Sequence, residues 1–176
     1  MIDLRDLTGQ FPVAGRVDRI LLRPSRDAAA IDVDEVEAQE GRGLVGDRSA
    51  ARAAAVGSKR QVTLLQAEHL PLIAAWSGLA TLDAAILRRN LVVSGINLIA
   101  TRSPFADRPM QVRIGDAVRL WVTGDCAPCS KMEDRLGRGA YNALRGHGGV
   151  TARVMAGGRI RIGDAVTIEP VRRPDP

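Results

Sequence analysis

Apolar residues recur along this chain mainly with the two-residue period of half-buried strands, and stretches with helical spacing are few and short. Residues 11–22 set Val17, Arg19 and Leu21 against Asp18, Ile20 and Leu22 and read as a strand stopped by Arg23-Pro24. After a loop over residues 25–30, residues 31–38 interleave Asp32, Asp34, Glu35 and Glu37 with Ile31, Val33 and Val36. That is a strand with a solvated acidic face, since the turn glycine and ligand spacing of a calcium loop are missing. Residues 59–65 predict a strand with a basic start. A helix over 66–76 follows, in which Pro71 is tolerated only near the first turns. A second short helix is expected over 82–90, and a strand resumes at Leu91-Val92-Val93 until Ser94-Gly95 breaks it.

The second half repeats one phrase. Arg113-Ile114-Gly115-Asp116-Ala117-Val118 returns as Arg161-Ile162-Gly163-Asp164-Ala165-Val166, and two copies are too few for a solenoid. They predict similar Gly-Asp turns into two strands of one sheet or barrel. Residues 112–123 read as hairpin-like, residues 130–136 as a short helix, and the glycine-rich residues 137–149 as a mobile or ligand-facing loop holding Tyr141, Asn142, Arg145 and His147. The polar, proline-rich residues 171–176 form a tail. The architecture expected is a mainly antiparallel β-barrel with a few short peripheral helices, in a single domain over residues 1–176 with its core at about 15–168.

Charge narrows the partners. The net charge is +5, and Lys59 and Lys131 are the only lysines among 25 basic residues, so the surplus is arginine, whose planar fork suits phosphate and carboxylate groups. Aromatic content of 3% leaves few stacking platforms for single strands, and the arginines are scattered among acids, so nucleic acid is disfavoured and a small phosphorylated ligand preferred. Two cysteines and no basic, apolar leader point to a reducing, cytoplasmic setting, and no apolar run approaches membrane-spanning length.

Gly41-Arg42-Gly43-Leu44-Val45-Gly46 matches the dinucleotide pattern in letters only, because Glu37-Ala38-Gln39-Glu40 precedes it where a buried apolar strand is required. The glycines more simply mark a loop needing positive φ or close backbone approach. His69, inside the expected helix, reads as a packing or surface residue rather than a ligand.

The stretch from Gly124 to Met132 carries both thiols, as Cys126-Ala127-Pro128-Cys129. Three chemistries compete for it. A dithiol redox site normally opens a helix in a βαβ setting, whereas the preceding residues read as antiparallel strands. Structural zinc needs four ligands, and only His69 and His147 could join the cysteines. The third is one soft thiolate on a soft or redox-active metal. Pro128 presets the loop, and Ser130-Lys131 and Arg135 favour a thiolate at Cys129.

Gly43-Leu44-Val45-Gly46-Asp47-Arg48, Arg60-Gln61-Val62-Thr63-Leu64-Leu65, Arg88-Arg89-Asn90-Leu91-Val92-Val93-Ser94-Gly95, the Pro128-Cys129 loop and Gly139-Ala140-Tyr141-Asn142-Ala143 together resemble the MOSC domain family, named for the C-terminal domain of molybdenum cofactor sulfurase. The resemblance covers residues 15–168 and implies a β-barrel in which Cys129 ligates molybdenum of a pterin cofactor or carries sulfur for it. It further implies reduction of N-hydroxylated compounds with electrons from an external donor protein, or a non-catalytic role as sulfur or cofactor carrier. For the molybdenum cofactor's phosphate the basic candidates are Lys59, Arg60, Arg88 and Arg89, with Asp47, Arg48 and Asn90 beside them, and His147 or Asp125 would supply a proton. Cys126, Asn97 and Ser49 depart from the family pattern, so Cys126 is expected to be a spectator or a resolving thiol, and substrate identity is left open.

Overall fold

The computed structural model describes residues 3–171, so the expected tail lies, past Val171, outside the described residues. A one-turn helix α1 (Leu4–Leu7) precedes β1 (Gly15–Leu22), which starts four residues later than the pattern suggested. The acidic stretch divides at Asp34 into β2 (Ile31–Val33), paired with β1, and β3 (Glu35–Gln39), which leaves for a separate three-stranded ribbon with β4 (Gly43–Leu44) and β10 (Gly158–Arg161). Between them in sequence come α2 (Arg48–Ala51), β5 (Val62–Gln66), α3 (His69–Trp76), α4 (Ala84–Leu87), β6 (Leu91–Ser94), β7 (Met110–Ile114), β8 (Val118–Asp125), α5 (Ser130–Leu136), α6 (Ala140–Leu144) and β9 (Val150–Ala156), with β11 (Ala165–Pro170) last.

Strands β1, β6, β5, β9, β8, β7 and β11 follow one another around a closed barrel, and the β11–β1 pair shuts it at Gly15↔Val166. The barrel is mixed. Six of its pairings are antiparallel, as expected, but β5 and β6 run parallel, in register Leu64↔Leu91 and Leu65↔Val92, and at that pair the expected antiparallel barrel is corrected. A parallel pair cannot be joined by a tight turn, and residues 67–90, carrying α3 and α4, make the crossover.

The two copies of the repeated phrase meet in space. The turn at Gly115 donates its backbone N–H to Ala165 O at 2.9 Å, so one Gly-Asp turn lies against the other where the barrel closes. Inside, Val17, Leu64, Val93, Val112, Leu120, Val154 and Val166 pack as one core. A second layer sets Leu21, Leu65 and Val92 on the outer face of β1, β5 and β6 against Ile73, Leu87, Met132, Leu136 and Leu144 of the helices. Each such side chain removed from water contributes about 1.5–3 kcal/mol.

The second helix ends early. Asp83 caps α4 by accepting from Ala85 N at 2.9 Å, and Arg88 at φ 60° turns the chain left-handed, so Arg88 and Arg89 leave the helix in different directions. The glycine-rich stretch is not all loop, since α6 lies within it and buries Ala140, Ala143 and Leu144. No dinucleotide-type βαβ unit forms at residues 41–46. Gly43 sits at φ 130°, where a Cβ would stand 2.8 Å from Gln61 O, so close backbone approach accounts for it.

Candidate functional site

The end of β1 and the starts of β5 and β6 come together at one rim of the barrel. There, Arg23, Arg48, Arg52 and Arg60 line a cavity of about 320 Å³ together with Ser49, Ser58, Gln61, Thr63 and Asn90, and no carboxylate is among its lining residues. Asp47 lies behind the wall, 2% exposed, with its oxygens occupied by the protein. It accepts from Ser49 N (2.8 Å), Ser49 Oγ (2.5 Å), Arg23 N (3.0 Å) and Asn90 Nδ2 (3.0 Å).

Asn90 extends this frame. Its Oδ1 accepts from Thr63 N (3.1 Å) and Thr63 Oγ1 (2.9 Å), and its Nδ2 also donates to Leu21 O (3.3 Å). Both amide hydrogens and both lone pairs are thus taken up internally, so Asn90 holds the cavity wall by joining β1, β5 and β6 to the Asp47 turn. Replacing Asp47 with alanine strands several buried donors and leaves Arg23 without its nearest countercharge. The expected cost is about 3–5 kcal/mol in urea unfolding, and a loss under 1 kcal/mol would show that this network does not carry the rim.

Arg23 shows what the cavity lacks. Its Nε is buried without a hydrogen-bond partner among the described residues and stands 3.8 Å from Asp47 Oδ2. Burial lowers its pKa, Asp47 opposes that, and the neighbouring Arg88, Arg48 and Arg60 push it down further. Several guanidiniums facing one polar space repel one another, and an anion between them relieves the repulsion.

The thiol loop adjoins this wall. Cys126 is 1% exposed and its Sγ receives Arg60 Nη2 at 3.0 Å, whereas Cys129 is exposed and stands at the N-cap of α5 in extended geometry. Arg89, 4% exposed, sends Nε to Gly148 O (2.6 Å), Nη1 to Leu87 O (2.6 Å) and Nη2 to Cys126 O (3.3 Å). Burial lowers its pKa, and the groups that favour its charge are Cys126 and then Cys129. Gly149, at φ 90° with a Cβ position only 2.0 Å from Leu64 O, lets the loop that leads into β9 close against β5.

The other residues expected at the site are distributed differently. Arg88 donates to Arg26 O at 3.1 Å and does not line the cavity; Lys59 is exposed, and its carbonyl accepts from Thr123 Oγ1. Asp125, the last residue of β8, pairs with Arg102 at 3.0 Å and does not line the cavity. His147 packs edge-on against His69 and Trp76, with ring centroids 4.8 and 4.9 Å away, beneath α3. Arg48 and Arg60 are therefore in the cavity lining, while Arg23 and Arg52, which sequence reasoning missed, join them.

Burial lowers the pKa of His69, against a weaker raising effect from its backbone contact with His147. The unfolded chain takes up a proton at His69 before the folded one does as pH falls below about 6.5. Stability should therefore decline from pH 7 toward pH 5, and His69→Gln should flatten that slope in urea titrations. An unchanged slope would remove His69 as its source.

The fold and rim define a small mixed β-barrel with an arginine cavity and two free thiols at one end. The family model for the MOSC domain matches residues 51–167, and the chain belongs to the MOSC domain family, which is associated with the molybdenum cofactor. Its fold is that of the YUAD protein from Bacillus subtilis, at TM-score 0.74 and 16% identity over 91% of this chain and 98% of that one. It is also similar to YiiM from Escherichia coli, at TM-score 0.63 and 22% identity over 94% and 73% of the two chains. YiiM from Geobacillus stearothermophilus gives TM-score 0.65 and 16% identity over 90% and 76%. Comparison with curated proteins finds no match. Among the described residues no helix is long and apolar enough to cross a membrane.

Proposed function

We propose that this protein binds the molybdenum cofactor at the arginine rim and reduces N-hydroxylated compounds. The observation that carries the reading is a cavity lined by Arg23, Arg48, Arg52 and Arg60 without a carboxylate, linked through Arg60 to the loop bearing both cysteines. These residues fit the group: the cavity's donors suit a phosphate, and an accessible thiol is a soft donor for the metal. Cys129 is the metal ligand in this reading. Arg23, Arg48 and Arg60 hold the phosphate, with Asp47 and Asn90 fixing their scaffold.

The cofactor would supply the two-electron reduction of the N–O bond, drawing on an external electron-donor protein. The chain's own work is to bind, orient and deliver protons. Loss of the oxygen as water consumes two protons, and we assign their delivery to His147 or Asp125. These titratable side chains sit on the two segments joined by the Cys126 N to Gly149 O bond of 2.8 Å.

The exposure of Cys129 also favours a second reading, a carrier that holds sulfur as a persulfide on that thiol. Protein produced in a molybdenum-replete, cofactor-competent host separates the two. Bound molybdenum together with turnover of an amidoxime or hydroxylamine under an artificial electron donor supports the reductase. Absence of metal, with a one-sulfur mass increase on Cys129, supports the carrier.

A further inference from the structure

We infer that Cys126 is a positioning residue, whose sulfur aims the Arg60 guanidinium into the anion cavity without consuming its charge. The inference rests on the cavity reading above and adds a role for the second thiol. Arg60 starts the segment leading into β5 and is an exposed residue, so nothing about its location alone would hold its long side chain still. Its Nη2 nevertheless reaches the buried Cys126 Sγ at 3.0 Å, and Arg60 also lines the cavity.

Cys126 is itself immobilised at three points. Its N–H donates to Gly149 O at 2.8 Å, its carbonyl accepts from Arg89 Nη2 at 3.3 Å, and its side chain is 1% exposed. A sulfur so fixed is a stationary acceptor. It is also a weak one, and that matters in a cavity that must attract an anion. A carboxylate here would hold Arg60 more strongly but would pair off the charge that the ligand needs, as Asp125 pairs Arg102 outside the cavity lining. Sulfur orients the fork and leaves its charge available. The rotamer freedom that Arg60 would otherwise lose on binding is already spent in the unliganded protein.

The test uses inorganic phosphate as probe on cofactor-free, full-length protein, with the dissociation constant measured by calorimetry at low ionic strength. Cys126→Ala removes the acceptor and should weaken phosphate roughly three- to tenfold, the cost of ordering one long side chain on binding. Cys126→Ser keeps an acceptor at the same place and should stay within about twofold, a rescue that a merely space-filling role does not give. Arg60→Gln should weaken phosphate on its own, and adding Cys126→Ala to it should change nothing more, because the two act as one unit.

Cys126→Val, which fills the buried space without an acceptor, keeps the comparison decisive if the alanine variant does not fold. A loss on Cys126→Ala that persists undiminished in the Arg60→Gln background overturns the inference. So does an unchanged constant in Cys126→Ala beside a weakened one in Arg60→Gln, and in that case the cavity reading survives. No effect of Arg60→Gln removes the cavity reading and this inference with it.

Discussion

Cys129→Ser is expected to yield a folded protein that holds no molybdenum and shows no N-reductive turnover. The side chain is exposed at the N-cap of α5 and makes no capping hydrogen bond, so its replacement should shift stability by no more than about 0.5 kcal/mol. The chemical change is larger. A serine hydroxyl is a harder donor that stays protonated near neutral pH, and it cannot replace a thiolate on a soft metal centre. Cys126→Ser should retain most of its metal, because that sulfur faces Arg60 and an oxygen can accept the same bond. Molybdenum per chain and thermal midpoint, measured for both variants, decide the matter. Full metal in Cys129→Ser would take the ligand away from this account, and equal loss in both would point to a dithiol site.

Much of the barrel was legible because its strands bury one face and expose the other. β7 alternates Met110, Val112 and Ile114 inward with Gln111 and Arg113 less buried, and β11 follows the same rule. The parallel pair was missed although its signal was present. Val62, Thr63, Leu64 and Leu65 of β5 and Leu91, Val92 and Val93 of β6 are unbroken buried runs, since the helices cover one face and the barrel core the other. A continuous run, a crossover with two helical patches and a second continuous run is the pattern of a parallel connection. Reading those strands as members of an antiparallel barrel ignored the absent alternation. α6 was hidden differently, because Gly139, Gly146, Gly148 and Gly149 flank it and dominate the local composition.

At the site, motif order picked out Arg48, Arg60 and the thiol loop, each close to a recognisable string. Arg23 carried no such signal. As the residue that stops β1 before Pro24, it looked like punctuation, and only the closed barrel brings it beside α2 and β5. Arg88 and Arg89 were attractive as a doublet, but a doublet in sequence is not a fork in space. The left-handed turn at Arg88 sends one toward Arg26 O, while the other is consumed by three backbone carbonyls. The role of Cys126 was equally invisible, because its partner Arg60 lies 66 positions away.

Neutralising Arg23 and Arg48 together should therefore cost the protein its anion, and the Arg88 position should not. Charge-assisted hydrogen bonds contribute about 1.5–3 kcal/mol each, so Arg23→Gln with Arg48→Gln should lose about 3 kcal/mol or more of binding, a hundredfold or greater. Folding should respond with the opposite sign or not at all. The variant removes a buried guanidinium whose Nε has no hydrogen-bond partner among the described residues and whose charge the other arginines oppose, which offsets the loss of its 3.8 Å ion pair with Asp47; that carboxylate keeps its hydrogen bonds, the one from Arg23 N included. A drop in phosphate affinity and in molybdenum per chain, beside an unchanged or higher thermal midpoint, separates a binding site from a structural cluster. Arg88→Gln serves as the control, since its side chain bonds Arg26 O outside the cavity lining. If the double variant keeps phosphate as tightly as the parent, or if Arg88→Gln alone releases it, the anion is seated elsewhere on the rim.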